Sequence, residues 1–216
     1  VGGLGVTSVG AGVILAMGRK VNLKGRNIIR EAMNLDSGKG IVRFLKDVFF
    51  TTLTFELIGA ALSLTVFIRD YPLGKAIGIS LFHSVAAFNN SGFDILGNYQ
   101  NLIPYQDSVM LNLVTSGLIF FGGIGFLVIR EAVQKRFCWR RFSMHAKVVL
   151  SVSAALIAVG TVLLKCTEPI SWMGAFFHSV SARTAGFSTY SLGEFSDAGL
   201  LVLIVLMFIG ASPGST

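Results

Sequence analysis

Charge is scarce in this chain. Only 13% of its 216 residues are Asp, Glu, Lys or Arg, against 53% that are hydrophobic; a soluble domain carries about 25% charged residues. That shortage argues against a water-solvated globule and makes the lipid bilayer the expected solvent. Cysteine is scarcer still. Cys138 and Cys166 form no CxxC and no metal-ligand spacing, which leaves two unpaired thiols as the reading. The net charge of +7 hints at nucleic acid. However, the basic residues fall into two clusters between apolar runs, without one basic face or interleaved aromatics for stacking, so no nucleic-acid partner is expected. No signal peptide is visible, because Val1 opens inside an apolar run. With an equally abrupt stop at Thr216, the chain reads as a segment of a longer protein.

What is present is apolar length. Five stretches are candidate spans: 1–17, 48–68, 109–129, 148–164 and 198–209, the last short and interrupted. Two more, 73–88 and 170–183, are too short or too polar to cross and suit re-entrant helices. Irregular backbone at that depth is tolerated only where it is buried in protein or lines a watery cavity. One basic cluster comprises Arg19, Lys20, Lys24, Arg26, Arg30, Lys39, Arg43 and Lys46. The other comprises Arg130, Lys135, Arg136, Arg140, Arg141 and Lys147. The positive-inside rule makes both cytoplasmic, so the loops after 73–88 and 170–183 open outward.

Those two loops are near copies. Phe82-His83-Ser84-Val85 leads to Ser91-Gly92-Phe93, and Phe177-His178-Ser179-Val180 leads to Ala185-Gly186-Phe187. A second echo links Gly2-Gly3-Leu4-Gly5 to Gly122-Gly123-Ile124-Gly125. Together they imply repeated helix, pore loop, helix units. Residues 1–47 hold the second helix of unit one and a cytoplasmic loop, 48–147 hold unit two, and 148–216 hold most of unit three. The expected fold class is therefore an all-α membrane protein, a fragment of a pore built from such units. A dehydrating cation needs several oxygen dipoles aimed at one axis, and backbone carbonyls supply them most rigidly. Gly92 and Gly186 free the turn from Cβ constraints. The C-terminal ends of the short helices also favour a cation. The plain alternative is that both loops are ordinary glycine helix caps.

The loops AFNNSGFD and ARTAGFS, the GGLG and GGIG starts, and the terminal FIGASPGST resemble the Trk/Ktr/HKT potassium-transporter superfamily. The resemblance is greatest to the membrane subunit of Ktr-type bacterial uptake systems and runs the length of the chain. It implies four units around one pore in a multi-pass protein of the cell membrane. Potassium would be the transported ion, sodium a candidate co-ion in symport, with no covalent cofactor and no enzymatic step. The filter residues it implies are Asn90, Ser91, Gly92 and Phe93 in one unit, and Thr184, Ala185, Gly186 and Phe187 in the next. The segment Gly210-Ala211-Ser212-Pro213-Gly214-Ser215-Thr216 resembles the start of an intramembrane gating loop; Pro213 removes a helix hydrogen bond, as a hinge demands. The implied partners are a second copy, forming a homodimer, and a cytoplasmic nucleotide-binding ring, with the basic loops 19–46 and 130–147 as docking surface.

Other residues carry weaker readings. Asp94 is the external acid expected to enrich cations at the mouth, whereas Asp70, Asp107, Glu168, Glu194 and Asp197 read as solvated loop charges. Arg183, just before the second filter, is expected to brace it. Glu56 is an acid inside a span, functional or structural. His83 and His178 read as structural hydrogen-bonding groups rather than pH sensors. Gly210-Ala211-Ser212-Pro213-Gly214 formally matches GxSxG, and Ser212 with His178 as base would make an intramembrane serine hydrolase. That motif needs a strand-to-helix elbow, and here it follows a helical span. A membrane scaffold without transport is a third class.

Overall fold

The computed structural model describes residues 41–98, 100–135 and 138–210. Seven α-helices and no strand occur among them: α1 (Ile41–Phe67), α2 (Leu73–Phe88), α3 (Val109–Gly123), α4 (Phe126–Gln134), α5 (Met144–Thr167), α6 (Trp172–Ser181) and α7 (Asp197–Ile209). The all-α expectation holds. The proposed first span, its GGLG copy, most of the first basic loop, and Ala211 to Thr216 lie outside the described residues.

Serines start most of these helices. Ser108, Ser143, Ser171 and Ser196 each accept a hydrogen bond from the amide three residues on, satisfying a donor the helix leaves orphaned. Two helices, Lys46–Phe67 and Met144–Thr167, are long and apolar enough to cross a bilayer. At α5 the fully buried residues lie on the interhelical side (Ala146, Val149, Ser153, Gly160, Leu164), while Val148, Val152, Val159, Val162 and Leu163 are apolar and exposed, the pattern of a helix facing lipid.

One expected span is not a straight helix. Residues 109–129 break after Gly123, and α4 leaves α3 at 97°. The cause is local: Gly125 takes φ +84°, which a helix cannot propagate through and a Cβ would resist. α4 then lays Phe126, Val128, Ile129 and Ala132 into a core with Phe142, Ala146 and Val149. Its far end is latched to the start of α5. Glu131 accepts from the Ser143 amide and hydroxyl, both at 2.6 Å, and from Lys135.

Two helix, short helix, helix arrangements result: α1–α2–α3 and α5–α6–α7. The serine of each FHSV copy explains their likeness. Ser84 Oγ donates to Glu56 O (2.6 Å) and Ser179 Oγ to Ile157 O (2.9 Å), fastening each short helix to the long one before it. A Cβ at Gly59 or at Gly160 would lie 2.5 Å from that serine oxygen. The small residue is what allows the approach. α3 also packs on α6, joining the two arrangements.

Candidate functional site

The two GF loops meet. α2 ends at Asn89, and Asn90 adopts φ +51° so that the Ser91 amide donates back to Ala86 O (3.0 Å). Asn90 is thus the capping residue, and Gly92 (φ +68°) lies beyond the cap. In the second loop the amides of Thr184, Ala185 and Gly186 converge on Ser181 O (3.3, 2.9 and 3.1 Å). A Cβ at Gly92 would lie 2.2 Å from Ala185 O and 3.1 Å from Gly186 C. The two backbones therefore face each other at a distance only glycine permits. Gly186 (φ +81°) has open space where its Cβ would be.

Side chains hold this juxtaposition from behind. In the amide orientation that satisfies both ends, Asn90 donates to Ala87 O (3.0 Å) and Ile119 O (3.2 Å). It accepts from Thr184 Oγ1 (3.1 Å) and the Gly123 amide (3.3 Å). One buried side chain thus ties both loops to the end of α3. Gly122 is equally close, since its Cβ would fall 1.9 Å from Phe88 O. The Gly122-Gly123 pair therefore serves contact with the loop, while Gly125 makes the break. Asn101, at φ +50°, reaches both loops from outside, donating to Gly92 O (3.3 Å) and accepting from the Ser188 amide (3.2 Å).

These bonds sort the loop carbonyls. Gly92 O is engaged by Asn101, and Phe187 O accepts from Ser181 Oγ (2.6 Å). The carbonyls of Asn90, Ser91, Thr184, Ala185 and Gly186 accept no hydrogen bond among the described residues. Unpaired backbone acceptors need water or a cation. Of the expected filter residues, Phe187 contributes a ring: it is 2% exposed and lies edge-on to His83, centroids 5.4 Å apart. Phe93 is 64% exposed.

The two histidines differ in partner. Thr115 Oγ1 donates to Leu111 O (2.8 Å), so its oxygen accepts the His83 Nε2 proton at 2.8 Å. His178 Nε2 has no partner among the described residues, and its ring lies near Phe177, Tyr190 and Phe195. Beside it is a cavity of about 320 Å³ whose lining includes Arg183, Gly186, Leu203 and Met207. This enclosure is not the setting of an exposed general base, and Ser212 lies outside the described residues.

The charged residues separate from their expectations in instructive ways. Arg183 donates through Nη2 to Ser153 Oγ (3.0 Å) and Gly210 O (3.4 Å); it links the loop to α5 and to the end of α7 rather than to filter carbonyls. Asp94 Oδ1 accepts from the Leu96 amide (3.0 Å), a local turn. Glu168 is buried, not a solvated loop charge. Its Oε1 accepts from the Ser196 amide (3.0 Å) and hydroxyl (2.6 Å) at the N-terminus of α7, where partial positive charge favours it. Asp70 accepts from Tyr105 OH (2.9 Å), and that bond, after burial, pushes the phenol pKa up. Glu56 accepts from Asn89 Nδ2 (3.1 Å) directly beneath the first loop. Sequence reasoning missed Asn101, Ser181 and Thr115. Only the turn-prone Asn of Asn101 carried any signal, and nothing in one chain says what a turn reaches.

The chain matches the family model described as cation transport protein, TrkH, over residues 1–216. It is 33% identical to the potassium/sodium uptake protein NtpJ of Enterococcus hirae, covering 100% of this chain and 50% of that protein. It is 31% identical to the Ktr system potassium uptake protein B of Bacillus subtilis, covering 100% and 51%, and 31% identical to its Vibrio alginolyticus counterpart, covering 100% and 50%. The chain therefore spans about half the length of these relatives. A match over the whole chain, with apolar helices suited to the cell membrane, is sufficient: this chain belongs to the TrkH family of cation transport proteins.

Proposed function

We propose that this chain supplies part of a potassium-conducting pore, in which the loops around Gly92 and Gly186 form two adjacent sides of a carbonyl filter. The observation that carries this reading is the close facing of the loops, with five carbonyls left unpaired among the described residues. Asn90, Ser91, Gly92 and Phe93 and Thr184, Ala185, Gly186 and Phe187 are the filter segments. The unpaired carbonyls of Asn90 and Ser91 in the first, and of Thr184, Ala185 and Gly186 in the second, face the ion, and the Phe187 ring acts as a wedge between units. Residues 48–147 and 148–216 are then successive units. The cavity beside His178 is the seat for the filter of a further unit, as His83 seats Phe187.

Gly210 (φ +55°) ends α7 and opens the gating loop that continues through Ala211, Ser212, Pro213, Gly214, Ser215 and Thr216. Arg183 joins that hinge to the filter, and Asp94 adds negative charge at the outer mouth. The relatives' names support potassium as the ion, with sodium as candidate co-ion, and a place in a multi-subunit system. We assign the partners as a second copy and a cytoplasmic nucleotide-binding ring, docking on the basic loops. The test is potassium uptake by the full-length protein in a deficient strain, with Gly92→Ser and Gly186→Ser. Loss of uptake or of potassium-over-sodium preference is expected. Normal uptake and preference in both variants would overturn the filter assignment.

A further inference from the structure

We propose that Asn101 is a specificity-determining residue that sets the spacing between the two loops. This rests on the filter reading above and adds a residue outside the filter motifs. Four observations converge. Asn101 holds φ +50°, a left-handed conformation that asparagine tolerates better than other residues with a Cβ and that aims its side chain back at the loops. Its Nδ2 donates to Gly92 O (3.3 Å) in one loop, and its Oδ1 accepts from the Ser188 amide (3.2 Å), just past the other. The same Oδ1 accepts from the Leu102 amide (2.9 Å), which locks the side-chain rotamer. The Leu102 amide also donates to Ser188 O (3.0 Å), so this short stretch stitches the two loops by backbone as well as side chain.

The chemistry follows from the Gly92 bond. A carbonyl held by an amide donor cannot swing toward the pore, so Asn101 fixes which oxygens face the ion. It also fixes how far the first loop can part from the second. Selectivity between ions of similar charge depends on the number and placement of coordinating oxygens. A looser clamp therefore costs discrimination before it costs flux.

Two variants separate the side chain from the backbone. Asn101→Gly keeps the left-handed backbone without strain and deletes the clamp; Asn101→Asp keeps the acceptor for Ser188 and Leu102 but loses the donor to Gly92. Asn98→Gly is the control, a neighbouring exposed residue at φ +56°. Each is made in the full-length protein, reconstituted in liposomes, and read as the ratio of potassium to sodium flux. Both Asn101 variants should lower that ratio at least tenfold at wild-type protein levels, with Asn98→Gly unchanged. If one Asn101 variant fails to accumulate, the other decides. A wild-type ratio in a folded Asn101 variant, while Gly92→Ser collapses it, would overturn the clamp alone. A wild-type ratio in Gly92→Ser as well would sink the filter reading and the clamp with it.

Discussion

Replacing Gly122 by Ala tests whether the α3 terminus is truly pressed against the first loop. The methyl carbon would fall 1.9 Å from Phe88 O and 2.9 Å from Phe88 C. Ordinary contact therefore requires opening roughly 1.5 Å between them. The obstacle is backbone at the C-terminus of α2, so no rotamer change relieves it. Overpacking costs about 1–3 kcal/mol, and this site belongs at the top of that range. The better helix propensity of Ala returns about 0.5–1 kcal/mol, leaving a net loss of about 2 kcal/mol. Gly117→Ala supplies the contrast. It lies on the same helix with nothing within 4 Å of its Cβ, so it should gain up to about 1 kcal/mol. The same substitution five residues apart should thus differ by about 3 kcal/mol. Thermal unfolding of the full-length protein in detergent measures this, and potassium uptake reads the displaced loop. If Gly122→Ala unfolds at the same temperature as Gly117→Ala and transports normally, the packing argument fails.

The FHSV serines offer a second test. Gly59→Ala and Gly160→Ala should each cost about 1–3 kcal/mol, and Ser84→Ala or Ser179→Ala made in the same chain should recover part of it. A double-mutant cycle with no coupling beyond about 0.5 kcal/mol would show the contact is not tight. Thr115→Val leaves the buried His83 Nε2 proton without its acceptor, at about 1–3 kcal/mol, read as a lower melting temperature. The Glu131 latch should be acid-labile. Burial pushes its carboxyl up, but Lys135 and the two Ser143 donors outweigh that and hold it below the ordinary value. A lowered folded-state pKa stabilises above the unfolded value of about 4.3 and loses that contribution as pH falls through the folded one. Hydrogen-exchange protection at the α4–α5 junction, taken relative to the intrinsic exchange rate at each pH, should therefore fall below that pH. Glu131→Gln should abolish the dependence; an unchanged acid response in that variant would refute the latch.

Much of this protein is legible in its sequence. Scarce charge and long apolar runs specify a helical membrane chain, because lipid leaves backbone polar groups no partner but their own helix. The expectation of a short helix over 73–88 and a terminal helix over 198–209 agrees closely with α2 and α7. The doubled loop was visible too, since the FHSV serine and the loop glycines each do a job that only their residue type can do.

Tertiary structure decided the rest. Hydropathy averages over a window and is blind to one φ angle, so 109–129 reads as a single span although Gly125 turns it by 97°. Glu168 reads as a loop acid because nothing local reveals that Ser196 and the start of α7 will cover it. Asn101 is one polar residue among many until folding brings Gly92 and Ser188 within reach of its two ends. The solvent, the helices and the repeated loop can be read along the chain, because those depend on local chemistry. Which loop atoms face each other, and what holds them there, depends on contacts between residues far apart in the chain, and only packing creates those.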